Sequence, residues 1–260
     1  MKLLLPVLVF LALIIVGHTH AQDVKFTSKN EPNTLSQDQD KRLAVAKAAW
    51  DVMDFETAYH LLIPLANEGI EDAQITLGHM LDIGVGVKQD YEQALYWFRK
   101  LDEQDCARGQ FYLGYMYEFG RGVEKDLTRT VNLYQLAAEK DDFRAQHRLS
   151  LLYVWGKGVK QDHKMAFYWE KRAAENGFVT AQNNLSEMYY EGTVVAQDYT
   201  QAFYWSLKAA EQDSQEAQCD VAYYYMLGKG VVKDKGKADY WLKKANKDGA
   251  AVNVCNPVSG

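Results

Sequence analysis

Residues 145–174 read AQHRLSLLYVWGKGVKQDHKMAFYWEKRAA, and the frame of this stretch returns every 36 residues along the chain. Gly84, Gly120, Gly156, Gly192 and Gly228 stand at that interval, as do Val87, Val123, Val159, Val195 and Val231. Asp90, Asp126, Asp162, Asp198 and Asp234 form a third column, and Gln74, Gln110, Gln146, Gln182 and Gln218 a fourth. Five copies without a gap mark a repeat architecture, in which no unit can bury its apolar face alone and neighbours must stack.

The units run 73–108, 109–144, 145–180, 181–216 and 217–252. A degenerate first unit occupies 40–72, where Asp54, Ala58 and Gly69 fall on the columns of Asp90, Ala94 and Asp105. Each unit reads as helix, glycine turn, helix. The first helix carries a small residue and a Leu four apart (Ala145 and Leu149), then an aromatic such as Tyr153, which is helical spacing. Gly-x-Gly-Val stops it, since Gly tolerates the left-handed backbone at a helix C-terminus. The Asp column sits where an N-cap of the second helix belongs. That helix carries Ala166, Trp169 and Ala173, repeated as Ala202, Trp205 and Ala209 and as Ala238, Trp241 and Ala245.

The pattern A-Q-x-x-L-G-x-x-Y-x-x-G-x-G-V-x-x-D-x-x-x-A-x-x-W-x-x-x-A-A resembles the Sel-one-like repeat family, a relative of the tetratricopeptide repeats. Ala145-Gln146, Leu149, Tyr153, Gly156-Lys157-Gly158-Val159, Asp162, Ala166, Trp169 and Ala173-Ala174 follow it. Departures are local: Ser150, Ser186 and Ala222 stand in the column of Gly78 and Gly114, Val194 replaces the second turn Gly, and Thr130 with Leu133 replaces Ala and Trp. The resemblance implies an all-α, right-handed α/α solenoid that holds a protein partner in its concave groove.

Invariant columns serve packing, so binding information belongs to columns that vary on one face. Positions 72, 75, 79 and 82 of each first helix recur at steps of three and four and share a side. By resemblance to tetratricopeptide repeats this side lines the groove. Its richest members are Arg108, Phe111, Tyr115, Glu118, Arg144, His147, Glu187, Tyr190 and Tyr223. Aromatic and Arg side chains flanked by carboxylates make the usual composition of a protein-binding hot spot.

The chain's ends and its charge bear on compartment and partner. Residues 1–21 carry one cation, Lys2, an apolar run from Leu3 to Val16 broken by Pro6, and an exit at Thr19 and Ala21 that fits signal-peptide cleavage. Such a run is short of the roughly 20 residues that span a bilayer. The expected mature chain starts at Gln22 with a polar arm, 22–39, ends in a tail, 253–260, and keeps no stable membrane anchor. The expectation is an exported protein, periplasmic or extracellular. The full sequence of 260 residues is 48% hydrophobic and 25% charged with net charge -6, which argues against nucleic acid as the partner. The aromatic share is 13%, with 17 Tyr and 6 Trp, and most of it falls on repeat columns, including Tyr96, Tyr168, Tyr204 and Tyr240.

Chemical motifs are few. Gly156-Lys157-Gly158 and Gly228-Lys229-Gly230 lack the phosphate-loop frame. His60, His79, His147 and His163 have no metal-ligand spacing, so neither metal nor cofactor is expected. Glu118 and Glu187 form an acid/base pair only by guesswork, and neither G-x-S-x-G nor S-x-x-K occurs. A non-enzymatic scaffold is the leading reading, with a cell-wall or penicillin-interacting enzyme and a secreted host-interaction factor as rivals. Asn184-Leu185-Ser186 matches a glycosylation sequon inside an expected helix. Cys219 and Cys255 lie one repeat apart, where packed helices would hold them about 10 Å from each other. They bridge only if the tail after Ala251, with its Pro257, leaves the repeat path. Cys106 is expected to be a small packing residue near the end of a second helix.

Overall fold

The computed structural model describes residues 35–246 and Cys255. The expected signal peptide, the arm up to residue 34 and the tail apart from Cys255 lie outside the described residues. Twelve helices and no strand occur among the described residues: α1 Gln37–Asp51, α2 Phe55–Asn67, α3 Glu71–Ile83, α4 Tyr91–Glu103, α5 Ala107–Phe119, α6 Leu127–Glu139, α7 Phe143–Trp155, α8 His163–Glu175, α9 Val179–Glu191, α10 Tyr199–Glu211, α11 Gln215–Leu227 and α12 Lys235–Ala245. Two compact units divide the chain, 1–97 and 98–260, with the boundary inside α4.

In the first unit α1 packs on α2 and α2 on α3. Helix α1 opens at Gln37 because Ser36 and Gln39 form a reciprocal capping box, so the first turn takes in residues expected in the arm. Arg42 grips Glu68 at the end of α2 through two N–H donors at 2.8 and 2.7 Å. These bonds, with a third from Gln39, hold the Glu68 carboxyl down at about 2. Asp54 caps α2 by accepting from the Thr57 N–H, the role its column predicts.

In the second unit every helix from α5 to α12 packs on the next, which makes an α/α solenoid of helix pairs. Three columns explain the regularity. Asp126, Asp162, Asp198 and Asp234 cap α6, α8, α10 and α12, each accepting backbone N–H groups of the first turn at 2.9–3.1 Å. Each first helix ends on a left-handed glycine, as at Gly156 with φ 62°. Buried glutamines clamp α7, α9 and α11 to the preceding second helix. Gln146, Gln182 and Gln218 donate to the carbonyls of Ala138, Ala174 and Ala210 at 2.9, 3.1 and 3.3 Å. These carbonyls lie in a last helical turn, where no intrahelical donor remains for them.

Close approach explains the second turn glycine. A Cβ on Gly158 would sit 2.6 Å from the Leu127 carbonyl oxygen, and one on Gly230 2.0 Å from that of Tyr199. Val194 occupies the same column without a left-handed backbone, so its turn takes another path. An open cleft of about 750 Å³ is lined by Tyr153 and residues 159–165.

The core is built from the Ala, Leu and Trp columns. Ala137, Ala138, Ala145, Leu149 and Trp169 form one cluster with Tyr134. The column of Gly114, Ser150 and Ser186 matches its opposite number in size and chemistry. Gly114 makes room for the Tyr134 ring, and Ser186 hydrogen-bonds Ser206 at 2.7 Å.

Cys219 and Cys255 form a disulfide with Cα atoms 5.2 Å apart. That is about half the spacing of packed helices, so the chain has left the repeat path by Cys255. Cys106 is buried as expected, but it stands at the N-cap of the first helix α5, where its Sγ accepts from the Gly109 N–H at 3.4 Å.

Candidate functional site

Helices α5, α7, α9 and α11 present the variable columns of the second unit. The two halves of this face differ in chemistry.

On α5 and α7 several expected binding residues turn out to be framework. Phe111 is 9% exposed and stacks on Tyr134 at 5.7 Å, with the Arg144 guanidinium 4.8 Å above its ring. It belongs to the core cluster with Val131 and Leu149, because the next first helix roofs it over. Arg144 is half-buried and tied to Asp142 at 2.6 Å, so it closes that roof. His147 is 5% exposed, with Nδ1 3.0 Å from Glu170 and its ring 5.2 Å from Phe178. Neither Phe111 nor His147 is open to a partner, contrary to the expectation from column spacing. Burial alone would push the Glu170 carboxyl up. His147, Asn184 at 2.6 Å and Ser150 overcome that and hold it below the usual range.

Glu118 accepts from Tyr134 Oη at 2.7 Å and from Arg148 at 2.5 and 3.2 Å. Burial, then the Glu118 carboxylate, push the Tyr134 hydroxyl well up. Glu118 is thus a structural acceptor, while Glu187 neighbours other carboxylates, so the two do not share an acid/base setting. Tyr115 remains half-buried, 4.5 Å from Phe119, with Arg121 and Arg148 at 5.0 and 5.9 Å over its ring. Phe119, half exposed one turn beyond Tyr115, is a surface aromatic that the column spacing missed. Arg108 stands at the start of the same helix, partly exposed.

On α9 and α11 the face is open. Glu187 is exposed and Tyr190 and Tyr223 are half-buried. Tyr190 packs edge-on against Tyr199 at 5.3 Å, and Lys229 Nζ donates to Tyr190 Oη at 2.9 Å. The ammonium lies 4.7, 4.8 and 6.0 Å from the rings of Tyr190, Tyr199 and Tyr223. Tyr199 and Lys229 come from a second-helix start and a turn, so no first-helix column contains them. Beside this box Glu187, Glu191, Glu216 and Asp220 crowd together. Desolvation, then Glu216 and Glu191, raise the Glu187 carboxyl. Desolvation, then Glu216 and Glu187, push Asp220 up to about 7.

Among the described residues no three His, Cys, Asp or Glu side chains are grouped to hold a metal ion, and no helix is long and apolar enough to cross a membrane.

The sequence profile of the Sel1 repeat matches residues 71–101, 107–142, 143–178, 179–214 and 215–249, so the chain belongs to the Sel1 repeat family. A Sel1 repeat protein from Oxalobacter formigenes is 34% identical with a TM-score of 0.69, over 75% of this chain and 57% of that one. A protective antigen of uropathogenic Escherichia coli strains with an SLR fold is 29% identical with a TM-score of 0.69, over 83% of this chain and 47% of that one. The chain therefore spans about half the length of each. An immunity protein of Pseudomonas aeruginosa shares the fold at 16% identity and a TM-score of 0.58. No curated protein matches.

Proposed function

We propose that this Sel1 repeat protein is an exported, non-enzymatic scaffold that binds a partner protein on the first-helix face of its second unit. The family generally mediates protein–protein interaction. The observation that carries the reading is the open half of the face, where Glu187, Tyr190 and Tyr223 reach solvent beside packed neighbours. Tyr115 and Arg108 extend the surface on α5, and Glu118, Arg144, Phe111 and His147 support it from beneath. Tyrosine and arginine in such a setting are the side chains that dominate protein interfaces.

Export is supported by the leader-like residues 1–21 and by the Cys219–Cys255 disulfide, since such bonds persist in oxidising compartments. N-terminal sequencing of the protein recovered from an envelope fraction should begin at Gln22. Affinity capture from that fraction, run with the native chain and a Tyr115→Ala, Tyr223→Ala variant, tests the face. Identical partner sets would refute it. Turnover of a chromogenic β-lactam or of muropeptides by the purified protein would favour the enzyme reading instead. The likeness to a protective antigen of uropathogenic strains favours, as a second reading, a host-facing partner for the same surface.

A further inference from the structure

The open half of the face has three features that all call for a donor or a cation. First, Glu187, Glu191, Glu216 and Asp220 lie together with no cationic side chain among the described residues paired to any of them, whereas several carboxylates elsewhere in the unit are matched: Glu118 by Arg148, Asp142 by Arg144, Asp141 by Arg172 and Asp213 by Lys244. Second, Asn183 Oδ1 is buried without a hydrogen-bond donor, while the amide nitrogen of the same side chain donates to Ser214 and Glu216 at 3.2 and 3.3 Å. An orphaned buried acceptor is costly, and an incoming N–H relieves it only where the side chains that cover it give way. Third, the tyrosines at the edge of the cluster already hold an ammonium, that of Lys229, by their ring faces and one hydroxyl. Aromatic boxes of this kind suit cationic groups in general.

We infer that the α9–α11 face is the docking surface for a basic peptide segment of the protein partner, with lysine or arginine side chains set between Glu187, Glu216 and Asp220 and along the tyrosine box. This rests on the proposed binding face and names the chemistry of what it takes. The raised Glu187 and Asp220 carboxyls agree with it: desolvation is the larger cause, and the mutual repulsion that adds to it is relieved by an arriving cation. Lys229 belongs to the same edge and competes for the box. Its own charge therefore weakens the arriving ligand.

The test uses the full chain with its disulfide intact and three fluorescein-labelled peptides: octalysine, octaglutamate and an uncharged octapeptide of Ser, Leu and Tyr. Octalysine should bind, weaken with added salt, lose at least tenfold in affinity in Glu187→Gln, Asp220→Asn, and gain in Lys229→Ala. Glu139→Gln, Glu211→Gln makes the same charge change elsewhere in the unit and should leave binding within about twofold. These amide substitutions preserve shape, and equal melting temperatures would establish that the variants fold. The inference is overturned if octalysine fails to bind, if both double variants weaken it equally, or if octaglutamate binds more tightly. Binding of the uncharged peptide alone, lost in Tyr190→Ala, Tyr223→Ala, would overturn the cationic class while leaving the binding face standing. Absence of all three, with capture indifferent to Tyr115 and Tyr223, would remove both.

Discussion

Glu170 is a carboxylate sealed among α7, α8 and α9, and its charge is tolerated only because His147 and Asn184 face it. A hydrogen bond to a buried charged group contributes about 1.5–3 kcal/mol, and His147→Gln should lose up to that much at pH 7. The pH dependence follows from the direction of the native shift. Held below its ordinary value near about 4.3, Glu170 takes up its proton at higher pH in the unfolded chain than in the native one. Its contribution is present in full above the unfolded value and is lost as pH falls through the native one. Without His147, burial dominates and favours the protonated carboxyl, so the penalty in His147→Gln should shrink as pH approaches 4. Melting curves of both proteins at pH 7 and pH 4 check this; a penalty equal at both would refute the account. The sequence contained both residues, but Glu170 stands in a column that also holds Phe98, Tyr134, Ser206 and Leu242. Nothing in such a column announces a polar partner. The sequon beside it is likewise explained: Asn184 is a helical residue whose amide is committed to Glu170.

Among the elements, the helices were legible wherever one residue type is needed in every copy. The left-handed Gly and the capping Asp are such positions, and both fall where the columns put them. The starts of the first helices were not legible, and lie two residues before the unit boundaries set from the columns. Their N-cap column reads Ile70, Cys106, Asp142, Phe178 and Ser214, and Ile70 and Phe178 make no side-chain cap bond at all. Packing there substitutes for capping, so the chemistry is free to vary. The outer tyrosines of the second unit show a related limit of the columns. Tyr168, Tyr204 and Tyr240 recur with the period and lie edge-on against Trp169, Trp205 and Trp241, yet each keeps 45–60% of its surface exposed. Recurrence marked contact with the framework without marking burial. Two substitutions separate the roles of turn residues. Gly158→Ala should cost more than Gly177→Ala, because the first meets the Leu127 carbonyl while the second meets nothing within 4 Å and carries only its backbone penalty, about 1 kcal/mol. Denaturant midpoints that rank them the other way would contradict the close approach. Asp162→Ala should cost about 1 kcal/mol through the lost cap of α8, read from the same curves.

For the whole molecule, the disulfide decides how the array ends. Non-reducing mass spectrometry should find the Cys219–Cys255 bridge, and Cys255→Ser should destabilise the last helix pair by up to about 4 kcal/mol, the chain-entropy value for a loop of this size. Hydrogen exchange localised to α11 and α12 checks it; unchanged protection there would show that the bridge adds nothing. The repeat and its family were legible along most of the chain, because period and columns are properties of sequence. Which half of the face stays open was not, since it depends on which side chains the following helix covers.

The glutamine clamp gives the chain a grammar for change in length. Because Gln146 reaches back eight residues to one carbonyl, and Gln182 and Gln218 do the same, a whole 36-residue segment added or removed leaves each surviving clamp with its own partner. A single inserted residue between clamp and carbonyl strands one donor and one acceptor inside the protein. Natural variation in this chain's length is therefore expected to come in whole steps of the period, as duplication and loss, with partial steps confined to the ends.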